Sequence, residues 1–239
     1  MPTFRHGKKT AVLLNGTDMS PFLNEATTTQ EIETSETTTF GLQDKTYVVG
    51  LSDGTISTSG LFDSTAGASD AVLSGIIAEE DNTFTVLPEG AVAGSRSIIA
   101  NGQLTSYEIS SPVADVVAIS AEVQADGGLF SGVALNGLQV VSASGVSGSV
   151  DNGAATSNGV LANLHVTANT RDDDTTIKVQ DSADGNTWAD LITFTAVSAS
   201  ATGGESITST GTVNRYLRAE HTLDGASGSV TFHVSVARR

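Results

Sequence analysis

The 239-residue sequence has no cysteine. That excludes disulfides, thiolate nucleophiles and sulfur-ligated zinc, and it fits folding in a reducing cytoplasm. Tryptophan occurs once, proline four times, and aromatics make up only 5% of the chain. Charged residues are 16%, few for an enzyme with a busy polar site. Long apolar runs are missing too. The apolar run that follows the basic Arg5, Lys8 and Lys9 is only Ala11–Leu14, too short for a signal peptide, and no stretch approaches the ~18 apolar residues of a membrane helix. The sequence therefore predicts a soluble protein made inside a cell, with no membrane partner. What is abundant is Thr, Ser, Val, Ala and 25 glycines. Small and β-branched residues with little charge suit strands packed against other protein on both sides.

Basic residues are scarce relative to acidic ones, 11 against 27, for a net charge of −16. The deficit is uneven: 17 acidic and 5 basic residues precede Gly128, and 10 acidic and 6 basic follow it. DNA binders carry the opposite footprint, because neutralising phosphates takes clustered Lys and Arg. Such a surface either keeps the protein soluble or forms a wall that repels phosphate over about a Debye length, ~8 Å at physiological salt.

One stretch organises the chain. In residues 28–34, Thr28, Gln30, Ile32 and Thr34 fall on one face of a strand pattern. In residues 55–62, Ile56, Thr58, Gly60 and Phe62 do the same. Between them, residues 36–50 contain Thr38, Phe40, Leu42, Tyr47, Val48 and Val49 but no tight-turn signal. Hairpins close in roughly 2–5 residues, and longer loops are usually functional or disordered. A loop holding aromatic and β-branched residues does not read as disordered. It predicts an arm that docks on a neighbouring subunit, with Thr38, Phe40, Leu42, Tyr47, Val48 and Val49 as its contact residues and Phe40, Tyr47 and Val48 as apolar anchors.

The run ETTTFGLQDKTYVVGLSDGTISTSGLFD resembles the signature segment of the major tail (tail-tube) proteins of long-tailed bacteriophages, particularly those of actinobacterial hosts. The resemblance extends to FRHGKKTAVLLNGTDMSPFLNEATT before it and TSYEISSPVADVVAISAEVQADGG after it. ANLHVT, IKVQDSADGNTWADLITF and VNRYLRAE are similar to the second half of the same family, so nearly the whole chain is covered. No single motif is as specific as a metal-ligand quartet; their order and spacing carry the likeness. It implies a virion protein, assembled in the bacterial host cytoplasm, that forms stacked rings around a channel and performs no chemistry. The implied rings are hexamers, or trimers if each chain holds two tube domains. The implied partners are further copies of itself, tail-tip and tail-terminator proteins, and the tape-measure protein and double-stranded DNA, which pass through the lumen without specific binding.

The remaining patterns predict a mainly β chain: a tail-tube-type β-sandwich or barrel with one short helix over residues 1–128, then a second β-sandwich over residues 129–239. The helix is expected at residues 70–80, capped by Ser69, with Val72, Leu73, Ile76 and Ile77 at helical spacing. Asp126-Gly127-Gly128 reads as the boundary. In the second half Val230, Phe232, Val234 and Val236 form one inward face, and Asp224-Gly225 reads as a turn pairing residues 215–221 with residues 230–237.

Catalytic constellations are missing. His6, His165, His221 and His233 are scattered and read as surface or packing residues; there is no GxSxG elbow, Walker loop or GxGxxG. The expectation is a non-enzyme with no cofactor and no metal. Asp172-Asp173-Asp174 reads as a solvated loop tip rather than a cation site. Trp188, beside the Asp184-Gly185 turn, is either a sugar platform or the packing anchor of its hairpin. Alternative readings are a capsid decoration or minor tail protein, and a carbohydrate-binding β-sandwich module in the second half.

Overall fold

The computed structural model describes residues 4–239; it is mainly β, with one short α-helix among them. A 3-10 turn at Gly7–Lys9 leads into β1 (Ala11–Leu14), which folds back as β2 (Thr17–Asp18). The turn residues Asn15 and Gly16 have φ of 44° and 81°, the left-handed pair that an Asn-Gly hairpin turn requires. β3 (Leu23–Glu36) and β4 (Tyr47–Leu61) form a long antiparallel hairpin, with Thr28 opposite Ile56 and Glu36 opposite Tyr47. The loop is shorter than its sequence implies. Tyr47, Val48 and Val49 already pair with Glu36, Ser35 and Thr34, as β-branched and aromatic residues favour.

The helix α1 (Ser69–Gly75) is also shorter than the predicted 70–80. It stops at Gly75, a poor helix residue, and leaves Ile77 exposed. Ser69 does not cap it. Ala68 occupies that position without a side-chain bond, while the buried Ser69 hydroxyl donates to the Leu61 carbonyl at 2.8 Å and accepts the Asp63 N–H at 3.0 Å. Those bonds tie the helix to the end of β4.

β5 (Asn82–Leu87), β6 (Arg96–Ser110) and β7 (Ala118–Ala134) follow, giving the strand order β2-β1-β5-β6-β7 with β4 on the far edge of β7. Along β7, Ile119, Ala121 and Val123 are buried while Ser120 and Glu122 are exposed. Val12, Leu14, Ile56, Phe84, Val86 and Leu104 join these residues, with Leu73 of the helix, in the first core. Asp126-Gly127-Gly128 forms a bulge within β7. Asp126 faces Asn101 and Phe130 faces Ile99, so residues 127–129 oppose Ala100 alone. Gly127 and Gly128, at φ 73° and 93°, permit this, and the strand continues.

Three short strands come next, β8 (Gln139–Val141), β9 (Gly145–Val146) and β10 (Val150–Asp151). Then come β11 (Val160–Asn169), β12 (Thr175–Ser182), β13 (Ala189–Thr193), β14 (Gly203–Ser209), β15 (Tyr216–Leu223) and β16 (Val230–Arg238). β14-β11-β16 extends the large sheet through Val133 and Ala134 of β7, which pair with Val236 and Ser235. β10-β15-β12-β13 is a separate sheet, with β9 also on β15. The two layers share the second core. Leu164, Val166, Val230, Phe232, Val234 and Val236 meet Ile177, Val179, Leu217, Ala219 and Phe194, as in a β-sandwich.

The hairpin expected between residues 215–221 and 230–237 is absent. β15 pairs with β12, with Ala219 opposite Val179, and β16 pairs with β11, with Val234 opposite Leu164. The chain crosses from one layer to the other at Asp224-Gly225. The crossing is held by buried Arg171, which donates to the Asp224 and Gly228 carbonyls. Where the halves meet, the Asn163 amide donates to the Phe84 and Ala100 carbonyls at 2.9 and 3.2 Å. His165 Nε2 lies 2.8 Å from the Thr85 hydroxyl.

Candidate functional site: an exposed hairpin arm

Every residue in the range 29–53 is exposed. The outer part of the β3–β4 hairpin is therefore a two-stranded ribbon with solvent on both faces, an arrangement only marginally stable on its own in water. The tip is pinned by short-range bonds. The Thr37 N–H donates to the Thr46 carbonyl at 2.8 Å, the Thr46 N–H donates to the Thr38 hydroxyl at 3.1 Å, and Lys45 pairs with Glu36 at 2.9 Å. Lys45 and then Thr38, both donating to the Glu36 carboxylate, hold its pKa below the ordinary value. Gly41, at φ 98°, takes the chain around the end, where an L side chain is disfavoured.

The predicted contact residues all lie on this ribbon. Phe40 is fully exposed at the tip, Leu42 lies beside it, and Tyr47, Val48 and Val49 are exposed on the returning strand. Thr38 plays a different part from the apolar five, since its hydroxyl closes the tip. The pairing adds two residues that the loop reading left out. Ile32 shares a face with Thr34 and hence with Val49 and Tyr47, and Leu51 is exposed in an irregularity where Gly50 and Leu51 face Glu33 alone. Once the hairpin is extended back to its true stem, strand periodicity places Ile32 on the face that carries Val49 and, further out, Tyr47. A soluble monomer rarely leaves so many contiguous apolar side chains in water. The outer edge of β3 pairs with no other strand among the described residues, so its backbone groups are also open to a partner.

The other candidates make contacts within the chain. Trp188 is half-buried, and the Arg218 guanidinium lies 4.1 Å over its ring, occupying one face in a cation–π contact. Asp184 accepts bonds from the Thr187 and Asn186 N–H groups and from the Ser182 hydroxyl, which lower its pKa to about 2. Asp172 holds Ser227 across the crossover. His165 and His233 face each other across β11 and β16 with no exposed surface. Burial lowers His165 to about 3, with a smaller push from His233, and lowers His233 to about 4 against a bond with the Asn136 backbone. Both are neutral packing groups in ordinary conditions. Among the described residues no cluster of carboxylates and histidines has metal-ligand geometry.

No protein-family model and no curated protein matches the chain. Solved structures with similar chain paths include one from the virion of a native gene transfer agent particle, 17% identical, at a TM-score of 0.45 over 53% of this chain and 97% of that one. Another is the tail of an empty gene transfer agent particle with C6 symmetry, 14% identical, at 0.42 over the same shares. A third is the SPP1 Dit protein, described as a hub of the adsorption apparatus of phages infecting Gram-positive bacteria. It is 11% identical, at 0.38 over 96% of this chain and 99% of that one.

Proposed function

We propose that this chain is a structural subunit of a phage tail, polymerising into stacked rings that form a tube for DNA delivery. The observation that carries the reading is the ribbon of residues 29–53, exposed on both faces and bearing Ile32, Phe40, Leu42, Tyr47, Val48, Val49 and Leu51. An arm of this composition is complete only against another protein surface, and the sequence resemblance makes a further copy of the chain the natural partner. The unpaired edge of β3 supports the same reading, because joining strands between subunits removes edges that would otherwise aggregate. The function is geometric: rings of six chains, or of three, enclose a lumen. Carboxylates from the acidic first half line it, so that DNA and the tape-measure protein pass without adhering. Tail-tip and terminator proteins start and stop the stack.

A pelleting assay tests polymerisation. Purified protein, with tail-tip components added as initiator, is sedimented over a concentration series. The reading predicts a critical concentration above which all added protein enters the pellet. A constant small oligomer at every concentration would favour a decoration or minor tail protein instead.

A further inference from the structure

The proposed polymer leaves open where the arm of one subunit lands on the next, and the distribution of cations answers it. Of the eleven Lys and Arg side chains, eight are engaged within the chain. Arg5, Lys45, Lys178 and Arg215 form ion pairs with Glu89, Glu36, Asp190 and Asp151. Arg171 and Arg238 donate to backbone carbonyls, and Arg218 and Arg239 lie over Trp188 and Phe130. Only Lys8, Lys9 and Arg96 have no such partner among the described residues. Of these, Lys8 and Lys9 lie together, forming the 3-10 turn between two grooves.

That first groove, about 510 Å³, is lined by Lys8, Lys9 and the Arg5–Glu89 ion pair, which leaves the two lysines as its net charge, and it carries the exposed apolar Phe4 and Val92. The second, about 540 Å³, runs from Lys8 past Val12 and Leu23 to Glu25 and Ala26 at the foot of the hairpin, so its one lysine is offset by a carboxylate. The arm has the complementary character. Around its apolar side chains stand Glu31, Glu33 and Asp44, none in an ion pair among the described residues. The rival apolar patch, Leu61, Ile109, Val113 and Val116, carries Asp115 and Glu108 and no cation, so it would repel the arm.

Position agrees with charge. Leu23 faces Gly60 at the foot of the hairpin and Glu36 faces Tyr47 near its tip, a separation of roughly 40 Å along the strands. Donor and acceptor therefore sit at opposite ends of one axis, the arrangement that generates an open head-to-tail polymer rather than a closed dimer. We propose that the acidic, apolar tip of the hairpin docks into the first, basic groove, between Lys8, Lys9 and Val92, of a second copy of this chain. This rests on the reading of the protein as a polymerising subunit and names the acceptor surface within it.

The cysteine-free sequence makes the test direct. A Phe40→Cys variant is mixed with a Val92→Cys variant under oxidising conditions, and in parallel with a Val113→Cys variant at the rival patch. The proposal predicts a covalent dimer with Val92→Cys and none with Val113→Cys. Adding Lys8→Glu and Lys9→Glu to the acceptor should raise the concentration needed for half-maximal cross-linking about tenfold, the effect of losing two exposed ion pairs. Adding Glu31→Lys and Glu33→Lys to the donor should restore it. Cross-linking at Val113→Cys, or at neither site, overturns the proposal. Pelleting tubes with the wrong cross-link would reject this acceptor and leave the tube reading standing. The right cross-link without tubes would do the reverse.

Discussion

The buried histidine pair makes stability sensitive to mild acid in a way that can be worked from the structure. His165 and His233 are fully enclosed, with pKa values near 3 and 4, against about 6.5 for an unfolded histidine. Both values are depressed. Below about pH 6.5 the unfolded chain binds more protons than the folded one, and stability falls as the pH falls. The contribution is whole above about pH 7 and is lost progressively towards the folded pKa values. At pH 5 each histidine has lost about 2 kcal/mol, so the pair has lost about 4. For a chain of this size that lowers Tm by about 8–16 °C between pH 8 and pH 5. The exposed carboxylates Asp151 and Asp184, held near 2, titrate well below this window. The assay is thermal melting by circular dichroism on the Phe40→Ser/Tyr47→Ser subunit, which keeps polymerisation out of the signal. His165→Gln or His233→Gln should remove about half of the pair's share, while His221, also lowered mainly by burial, keeps its own of the same sign. A Tm flat between pH 8 and 5, or an unchanged slope in the double Gln variant, would refute the reasoning.

Three other outcomes are expected. Phe40→Ser with Tyr47→Ser should leave a folded subunit, since both side chains are exposed, yet weaken docking by about 3–6 kcal/mol if both are buried in the assembly; pelleting measures it, and normal tubes would reject the arm. Gly16→Ala should lower Tm measurably, because a Cβ there would lie 2.3 Å from the Gly203 carbonyl oxygen at a φ of 81°; an unchanged melting curve would contradict that close approach. Arg218→Ala should shift the emission of the single tryptophan to the red as one face of Trp188 opens to water, and an unshifted spectrum would show that the guanidinium does not cover the ring.

Much of this was legible in the sequence wherever local pattern and tertiary outcome coincide. The inward face of Val230, Phe232, Val234 and Val236 is buried, because period-2 alternation is itself the geometry of a strand against a core. The exposed arm was readable as apolar residues between two strands without a turn signal. Glycine reports backbone conformation, not connectivity: Gly127 and Gly128 form a bulge within β7, and Asp224-Gly225 marks a change of layer instead of a hairpin. Ser69 was misread because a serine before a helix can equally bond backward to a strand. The grooves beside residues 7–9 were not visible at all, since residues 4–9 and 88–95 meet only in the folded chain.

If the exposed hairpin joins one subunit to the next, the protein builds a tube. Negative-stain electron microscopy of the purified protein, across concentration and salt and with tail-tip components added, tests it most directly. The account predicts hollow tubes or stacked rings, six-fold or three-fold in projection, that disappear when Phe40 and Tyr47 are replaced by serine. Discrete small particles under all these conditions would contradict it.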